Sequence, residues 1–345
     1  RLQELRNQGN PIRRGLQNRE VAVLPLSLVY APIPESLMRR PLYAASFITR
    51  IADMQRLMQQ TGNYVLLPYY HVVSDSPLAH IRHLYLYRNI DTFCRDLDFL
   101  QVHYRPISWH EIATANANRE PSFCLTFDDG LREIYTTIAP ILRKRNIPAV
   151  FFLNSGCVDN KHLFYRYKVS LLIEEGLRRH KSSQWVQDML GITYFQQDRI
   201  DLVAQEFGVD FETFLQNEQP YMTRHQIQEL LDMGFEIGGH SIDHPHYAAL
   251  TDAEQMRQTT ECMSTLRQMF HPSHNLFAYP FGQESLGESA LQTLQQGMDC
   301  VFGTKNFEPA TPPLYNRVWM EGTTFSGEQV VRGEYLRTLI KQHIR

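Results

Sequence analysis

Apolar and polar positions alternate along this chain in two different rhythms, and the change between them sets its organisation. YVLLPYYH (64–71), SFCLTF (122–127), AVFFLN (149–154), GFEIGGH (234–240), NLFAYP (275–280) and DCVFGT (299–304) are short apolar runs of strand length. Between them lie stretches with helical spacing: IDTFCRDLDFLQVH, IYTTIAPILRKRN, TDAEQMRQTTECMSTLRQMF and SALQTLQQGM. Strands alternating with helices predict βαβ units and a mainly parallel sheet, and this many units predict a closed or nearly closed barrel. Residues 157–222 break the rhythm. They are helical in pattern and rich in Arg, Lys, Gln and aromatic residues, and they separate AVFFLN from GFEIGGH. The pattern predicts a helical insertion that caps the barrel.

The expected organisation is therefore an N-terminal extension over 1–62, including the helical ITRIADMQRLMQQ. A main domain follows over 63–325, with its insertion at about 157–222, and a C-terminal helix or tail over 326–345. At 345 residues and 43% hydrophobic the chain can bury one large core. A formal charge of −3 gives no global attraction to nucleic acid or to an anionic membrane. No stretch approaches the ~20 apolar residues of a transmembrane helix. Val21 to Pro34, behind Arg13, Arg14 and Arg19, is the nearest thing to a degenerate signal sequence, but three prolines interrupt it. Because the sequence opens on Arg1, the true N-terminus stays open. The five cysteines (Cys94, Cys124, Cys157, Cys262, Cys300) are odd in number and form no CxxC, which favours buried reduced thiols. Together these lean toward the cytoplasm; an extracytoplasmic location follows if a signal has been removed. Oligomeric state is not legible.

The polar residues that stand out fall at strand ends, where a parallel barrel carries its chemistry. SFCLTF ends in Asp128, Asp129 and Gly130. Read alone, that is as well explained by a turn closing a strand as by a site. Adjacent carboxylates repel unless a cation or a proton lies between them. His71 ends YVLLPYYH, Tyr279 and Pro280 end NLFA, and His240 ends GFEIGG with His244 close behind in GGHSIDHPHY. Two histidines and a carboxylate leave positions open on a metal, the layout of a catalytic zinc site.

TFDDG and HSIDH resemble the first two motifs of the polysaccharide deacetylases, the NodB-homology domain of carbohydrate esterase family 4. FDDGLREIYTTIAPILRKRNIPAVFFLN resembles that family's first half-barrel, and MTRHQIQELLDMGFEIGGHSIDHPHYAAL its run into the metal histidines. The likeness covers roughly residues 64–320 apart from the insertion. It implies an α/β fold, a distorted (β/α)7 barrel, and a metal-dependent hydrolase that removes acetyl groups, N-acetyl before O-acetyl, from an acetylated polysaccharide or oligosaccharide. It implies Asp128 as general base and Asp129, His240 and His244 as ligands of a divalent metal, zinc first and Co, Ni, Mn or Fe as alternatives. It also places Tyr279, Pro280 and Phe281 at the substrate, with the backbone N–H of Tyr279 as an oxyanion donor. His246 and Trp319 are further substrate contacts by position, and Trp319 reads equally as core. His80 and His83 read as loop histidines.

Two departures shape the expectation. Ala278 stands where the family's third motif carries an arginine, and His343 lacks the strand context of the family's late acid histidine. Both departures resemble a circularly permuted branch, the poly-N-acetylglucosamine deacetylases, in which the acid comes first, in a Tyr-His context. PYYHVVSD makes His71 the candidate acid, and Arg317 in LYNRVWME the candidate for the missing arginine. Two other readings stay open: a non-catalytic glycan-binding relative, suggested by the lost arginine, and a two-His-one-carboxylate iron oxygenase, which the βαβ rhythm disfavours.

Overall fold

Strands buried on both faces read as unbroken apolar runs, and AVFFL (Ala149–Leu153) is one such strand, buried at every position. Phe151 and Leu153 point outward into a core shared with the surrounding helices, whereas Val150 and Phe152 point inward. The computed structural model describes residues 41–45, 53–282 and 295–344. The N-terminal stretch through residue 40, residues 48–52 of ITRIADMQRLMQQ, and most of SALQTLQQGM lie outside the described residues.

The strands, in chain order, are β1 (Val65–Leu66), β2 (Pro68–Tyr70), β3 (Arg105–Pro106), β4 (Ser122–Phe123), β5 (Leu125–Phe127), β6 (Ala149–Leu153), β7 (Glu236–Gly239), β8 (Leu276–Ala278), β9 (Cys300–Gly303), β10 (Leu314–Asn316) and β11 (Val318–Trp319). The two apolar runs YVLLPYYH and SFCLTF each divide, at Leu67 and Cys124. Their first halves pair with each other, and β4 also with β3, in a small parallel sheet of order β1-β4-β3, and their second halves join the main sheet. The main sheet runs β10-β9-β8-β7-β6-β5-β2-β11, parallel throughout. Its two terminal strands are consecutive in the chain, separated only by Arg317. Leu314–Asn316 pair with β9 on one side and Val318–Trp319 with β2 on the other, so one interrupted stave closes the sheet into a barrel of seven. The backbone bonds cross at the junction: the Arg317 N–H donates to Gly303 O at 3.0 Å and the Val318 N–H to Leu67 O at 2.7 Å. This is the expected (β/α)7 architecture. The stave that leads to His71 comes first in the chain and lies beside the one that leads to the aspartates, as a permuted order requires.

Helices cover the outside. Asn89 caps Ile90–His103 by accepting the Thr92 N–H, and Phe93, Leu97 and Leu100 face the barrel. The expected helix after the aspartates opens as a π-helical stretch, Ile134–Ile138, before turning α-helical at Ala139–Lys144. Pro140 has no N–H to give the preceding turn, and the ladder shifts there. The C-terminal segment forms one helix, Gly327–Ile344, which buries Val330, Val331 and Tyr335 in the outer core together with Met54 and Leu57 of Met54–Thr61. Within residues 157–222 four α-helices (Tyr165–Arg178, Ser183–Leu190, Gln197–Phe207 and Phe211–Glu218) form a second core. That core includes Val72, Ile81, Leu84 and Leu131 from the barrel's rim, so the insertion is fastened over the C-terminal ends of the strands.

Gly238 shows how tightly the interior is filled. A Cβ there would lie 2.5 Å from the Phe152 ring and 2.6 Å from Leu276 O. Gly238→Ala should cost about 1–3 kcal/mol by overpacking, read as a lower urea midpoint with an unchanged m-value. An unchanged midpoint would mean that Phe152 has room the structure does not give it.

Candidate active site

Each strand end turns sharply, and the turns aim side chains at one point above the barrel. Asp128 still belongs to the ladder, its N–H donating to Tyr70 O at 3.0 Å. Asp129 then leaves it with φ +73°, followed by Gly130 at +65°. On the neighbouring loop Ser241 (φ +72°) and His244 (φ +62°) do the same, as does Phe281 (φ +58°) after β8. Left-handed backbone at residues other than glycine is costly, and its clustering here is the mark of a functional site.

Asp129, His240 and His244 converge, with one possible ligand atom from each lying within 4.8 Å of the others. Asp129 Oδ1 is 3.6 Å from His240 Nε2 and 3.3 Å from His244 Nε2. The same oxygen is buried without a hydrogen-bond partner among the described residues. His240 Nδ1 lies 2.7 Å from Ala278 O, which assigns the proton to Nδ1 and turns the Nε2 lone pair toward the carboxylate. Burial lowers His240 to about 4 and His244 to about 3, so both are neutral, the form in which imidazole binds a metal. An orphaned carboxylate oxygen facing two neutral imidazoles fits a divalent ion, and the donor set suits zinc and its first-row neighbours.

Arg317 is fully buried inside the barrel, below Asp128. Its Nη1 donates to Asp128 Oδ1 at 2.7 Å and to Thr126 Oγ1 at 3.0 Å, its Nη2 to Asp128 Oδ2 at 2.8 Å, and its Nε to Gly303 O at 3.3 Å. The guanidinium also lies over the Tyr69 ring, 4.4 Å from its centroid. Burial alone would raise the Asp128 carboxyl, but the guanidinium outweighs it and, with His240, holds the group at about 2. Asp129, with no such partner, is pushed upward by burial. Two adjacent carboxylates thus occupy different electrostatic environments. Ala278, at the family's arginine position, faces the barrel interior, and Arg317 enters the same interior from the closing stave.

His71 stands across the mouth. Its Nδ1 is 2.6 Å from Glu321 Oε1, and its backbone N–H donates to the same oxygen at 2.5 Å. Burial alone would lower this histidine; the Glu321 hydrogen bond and the Asp129 charge more than offset that and raise it to about 9. Around it stand Tyr85, its ring centroid 5.3 Å away, and Trp319, edge-on at 6.4 Å. Trp319 Nε1 is buried without a hydrogen-bond partner among the described residues. On the opposite rim Phe281, 47% exposed, stacks on His246 at 4.8 Å and sets its edge against His244.

The structure brings Asp128, Asp129, His240, His244, His71, Arg317, Trp319, Phe281 and His246 to one end of the barrel, and Pro280 lies buried in the loop between β8 and Phe281. It does not bring Tyr279 there. Ala278 points inward, so its neighbour points outward and packs with Tyr247 and Phe277; its N–H is given to Phe302 O at 3.2 Å and is not free for an oxyanion. His80 packs on Tyr167 and Phe214, His83 pairs with Glu174 at 2.7 Å, and His343 bonds within its own helix. Sequence reasoning missed Glu321 and Tyr167. Glu321 was within reach, since Arg317, Trp319 and Glu321 follow the period of two on one stave. Tyr167 belongs to the insertion, and its O–H donates to Asp129 Oδ2 at 2.8 Å.

The polysaccharide deacetylase family model matches residues 115–299, more than half of the 345-residue chain. YxkH of Bacillus subtilis (strain 168), which carries the polysaccharide deacetylase name, is 20% identical over 182 residues, 52% of this chain and 44% of its own length. The match thus spans less than half of that relative. Among solved structures, the Streptococcus pyogenes deacetylase PplD in complex with acetate superposes with a TM-score of 0.53 at 16% identity, covering 78% of this chain and 97% of that one. IcaB from Ammonifex degensii superposes at 0.51 and 21% identity, with the same coverage. These likenesses carry the fold. With the family model matched over most of the barrel and its strand-end aspartates and histidines, the chain belongs to the polysaccharide deacetylase family.

Proposed function

We propose that this protein is a metal-dependent hydrolase that removes acetyl groups, N-acetyl foremost, from an amino-sugar oligosaccharide or polysaccharide. The observation that carries the reading is the pairing of an orphaned Asp129 oxygen and two neutral imidazoles with a carboxylate and a histidine in opposite charge states across the same mouth. Asp129, His240 and His244 would hold the ion, zinc by preference. Such an ion supplies a Lewis acid that polarises a carbonyl and activates water near neutral pH.

The chain's own groups take the proton steps. Asp128, kept ionised and oriented by Arg317, accepts a proton from the attacking water. His71, kept protonated by Glu321, donates to the departing sugar nitrogen, since an amine leaves poorly unless protonated. The Tyr85 and Trp319 rings pack beside His71, next to where an acetylated sugar would lie. Phe281, stacked on His246, offers an exposed ring to a sugar face. The Arg317–Asp128 pair removes the reason for reading the site as decayed. The parallel barrel sets it apart from the fold expected of an iron oxygenase.

The first test is deacetylation of a defined chito-oligosaccharide followed by mass spectrometry. Activity should vanish with a chelator and return with zinc or cobalt. Asp128→Asn and His71→Ala should each lower kcat by about 10²–10⁴-fold while still binding metal; full activity in His71→Ala would sink the assignment of the acid. The second test is pH. His71 must be protonated to act, so its form is populated below about 9 and the rate falls as pH rises through that value. Without the Glu321 carboxylate this pKa drops toward the ordinary ~6.5. Glu321→Gln should therefore move the alkaline limb of kcat/KM to lower pH; an unmoved limb would assign it to another group.

A further inference from the structure

A carboxylate that binds a metal through one oxygen needs something to hold the other. Asp129 Oδ1 faces the two imidazoles without a hydrogen-bond partner among the described residues, and Oδ2 accepts the Tyr167 hydroxyl at 2.8 Å. Tyr167 lies in the first turn of Tyr165–Arg178, the first α-helix of the insertion. Its ring is fixed without help from the hydroxyl. It lies 4.9 Å from Phe164, parallel to Tyr221 at 6.2 Å and edge-on to His80 at 5.2 Å. One residue before that helix, Phe164 stacks on His244 at 4.8 Å and 21°. The start of this helix thus touches two of the three candidate ligands, and neither contact involves a barrel strand.

We propose that Tyr167 is a positioning residue for the metal centre: its hydroxyl pins Asp129 Oδ2 so that Oδ1 is presented to the ion, which makes the docked insertion part of the centre. The inference rests on the reading of Asp129, His240 and His244 as the ligands. A carboxylate free to rotate must be ordered when the ion binds, and outer-shell partners of this kind are worth about 10–100-fold in metal affinity.

The experiment uses the full chain, stripped of metal and titrated with zinc or cobalt against a chromophoric chelator. Tyr167→Phe keeps the ring and removes only the hydroxyl. Its affinity should fall about 10–100-fold. At saturating metal its kcat should return to within a few-fold of the parent with KM unchanged, a split that general loosening of the fold would not give. The metal-free variant should unfold within a few degrees of the metal-free parent. Parental affinity in Tyr167→Phe, or collapse of its metal-free unfolding midpoint, would overturn the proposal. Asp129→Asn separates the two readings: it should abolish binding. If the parent binds no metal, or Asp129→Asn binds as well as the parent, the ligand assignment itself falls and the role of Tyr167 with it.

Discussion

The bidentate pair between Arg317 and Asp128 is the contact on which both the barrel and its chemistry depend. A guanidinium in a barrel interior carries a heavy desolvation cost, which an ion pair alone recovers only with good geometry and satisfied donors. Here Nη1, Nη2 and Nε all have acceptors, and the plane lies over Tyr69 with Phe152 and Phe302 close by. Such a pair contributes more to specificity than to stability. Arg317 is the residue at which the closing stave changes partners from β9 to β2, and its side chain reaches its acceptors only when both pairings are in register. Closing the seam and pairing Asp128 with its cation are one event.

That event also resolves the repulsion between neighbouring carboxylates. Asp128 has a fixed cation beneath it, whereas Asp129, turned outward by its left-handed backbone, touches a phenol and two neutral imidazoles and feels the His71 charge only from across the mouth. The pair therefore separates into one group that is ionised under all ordinary conditions and one that calls for a cation. Across the mouth the arrangement is reversed, with Glu321 buried beneath His71 and favouring the charged imidazole. Environment alone sets different charge states on side chains that would titrate in the ordinary way in solution, which is what the proposed base, ligand and acid require.

How much of this was legible in the sequence depends on how local each determinant is. The aspartates and the HSIDH histidines announce themselves because strand ends and short loops bring them together within single motifs. The barrel followed from the alternation of strand and helix patterns. The bends at Leu67 and Cys124 did not, because a strand that changes sheets in mid-run has the same apolar pattern as one that does not. Tyr279 was misplaced by reading a motif position without the period of two that sends alternate side chains to opposite faces. The same period would have extended Arg317 and Trp319 to Glu321. Tyr167 had no signal, because its contact with Asp129 exists only once the insertion has packed against the rim.

The family model ends before the closing stave and begins after His71, so the groups that complete the site lie outside the matched region. A closed barrel explains why they still meet. Strands β2 and β11 are neighbours with Val318 opposite Pro68 and Trp319 opposite Tyr69, and continuing that register sets Glu321 opposite His71. Their separation of 250 positions along the chain does not matter to the contact. In a ring of staves, adjacency is set by circular order, and moving the chain's starting point around the ring changes sequence position without changing neighbours. An arginine entering from the closing stave can then reach the interior that Ala278 leaves open, because both positions face the same filled centre. The barrel's closure, more than any one motif, is what holds the proposed acid, base and ligands at one mouth.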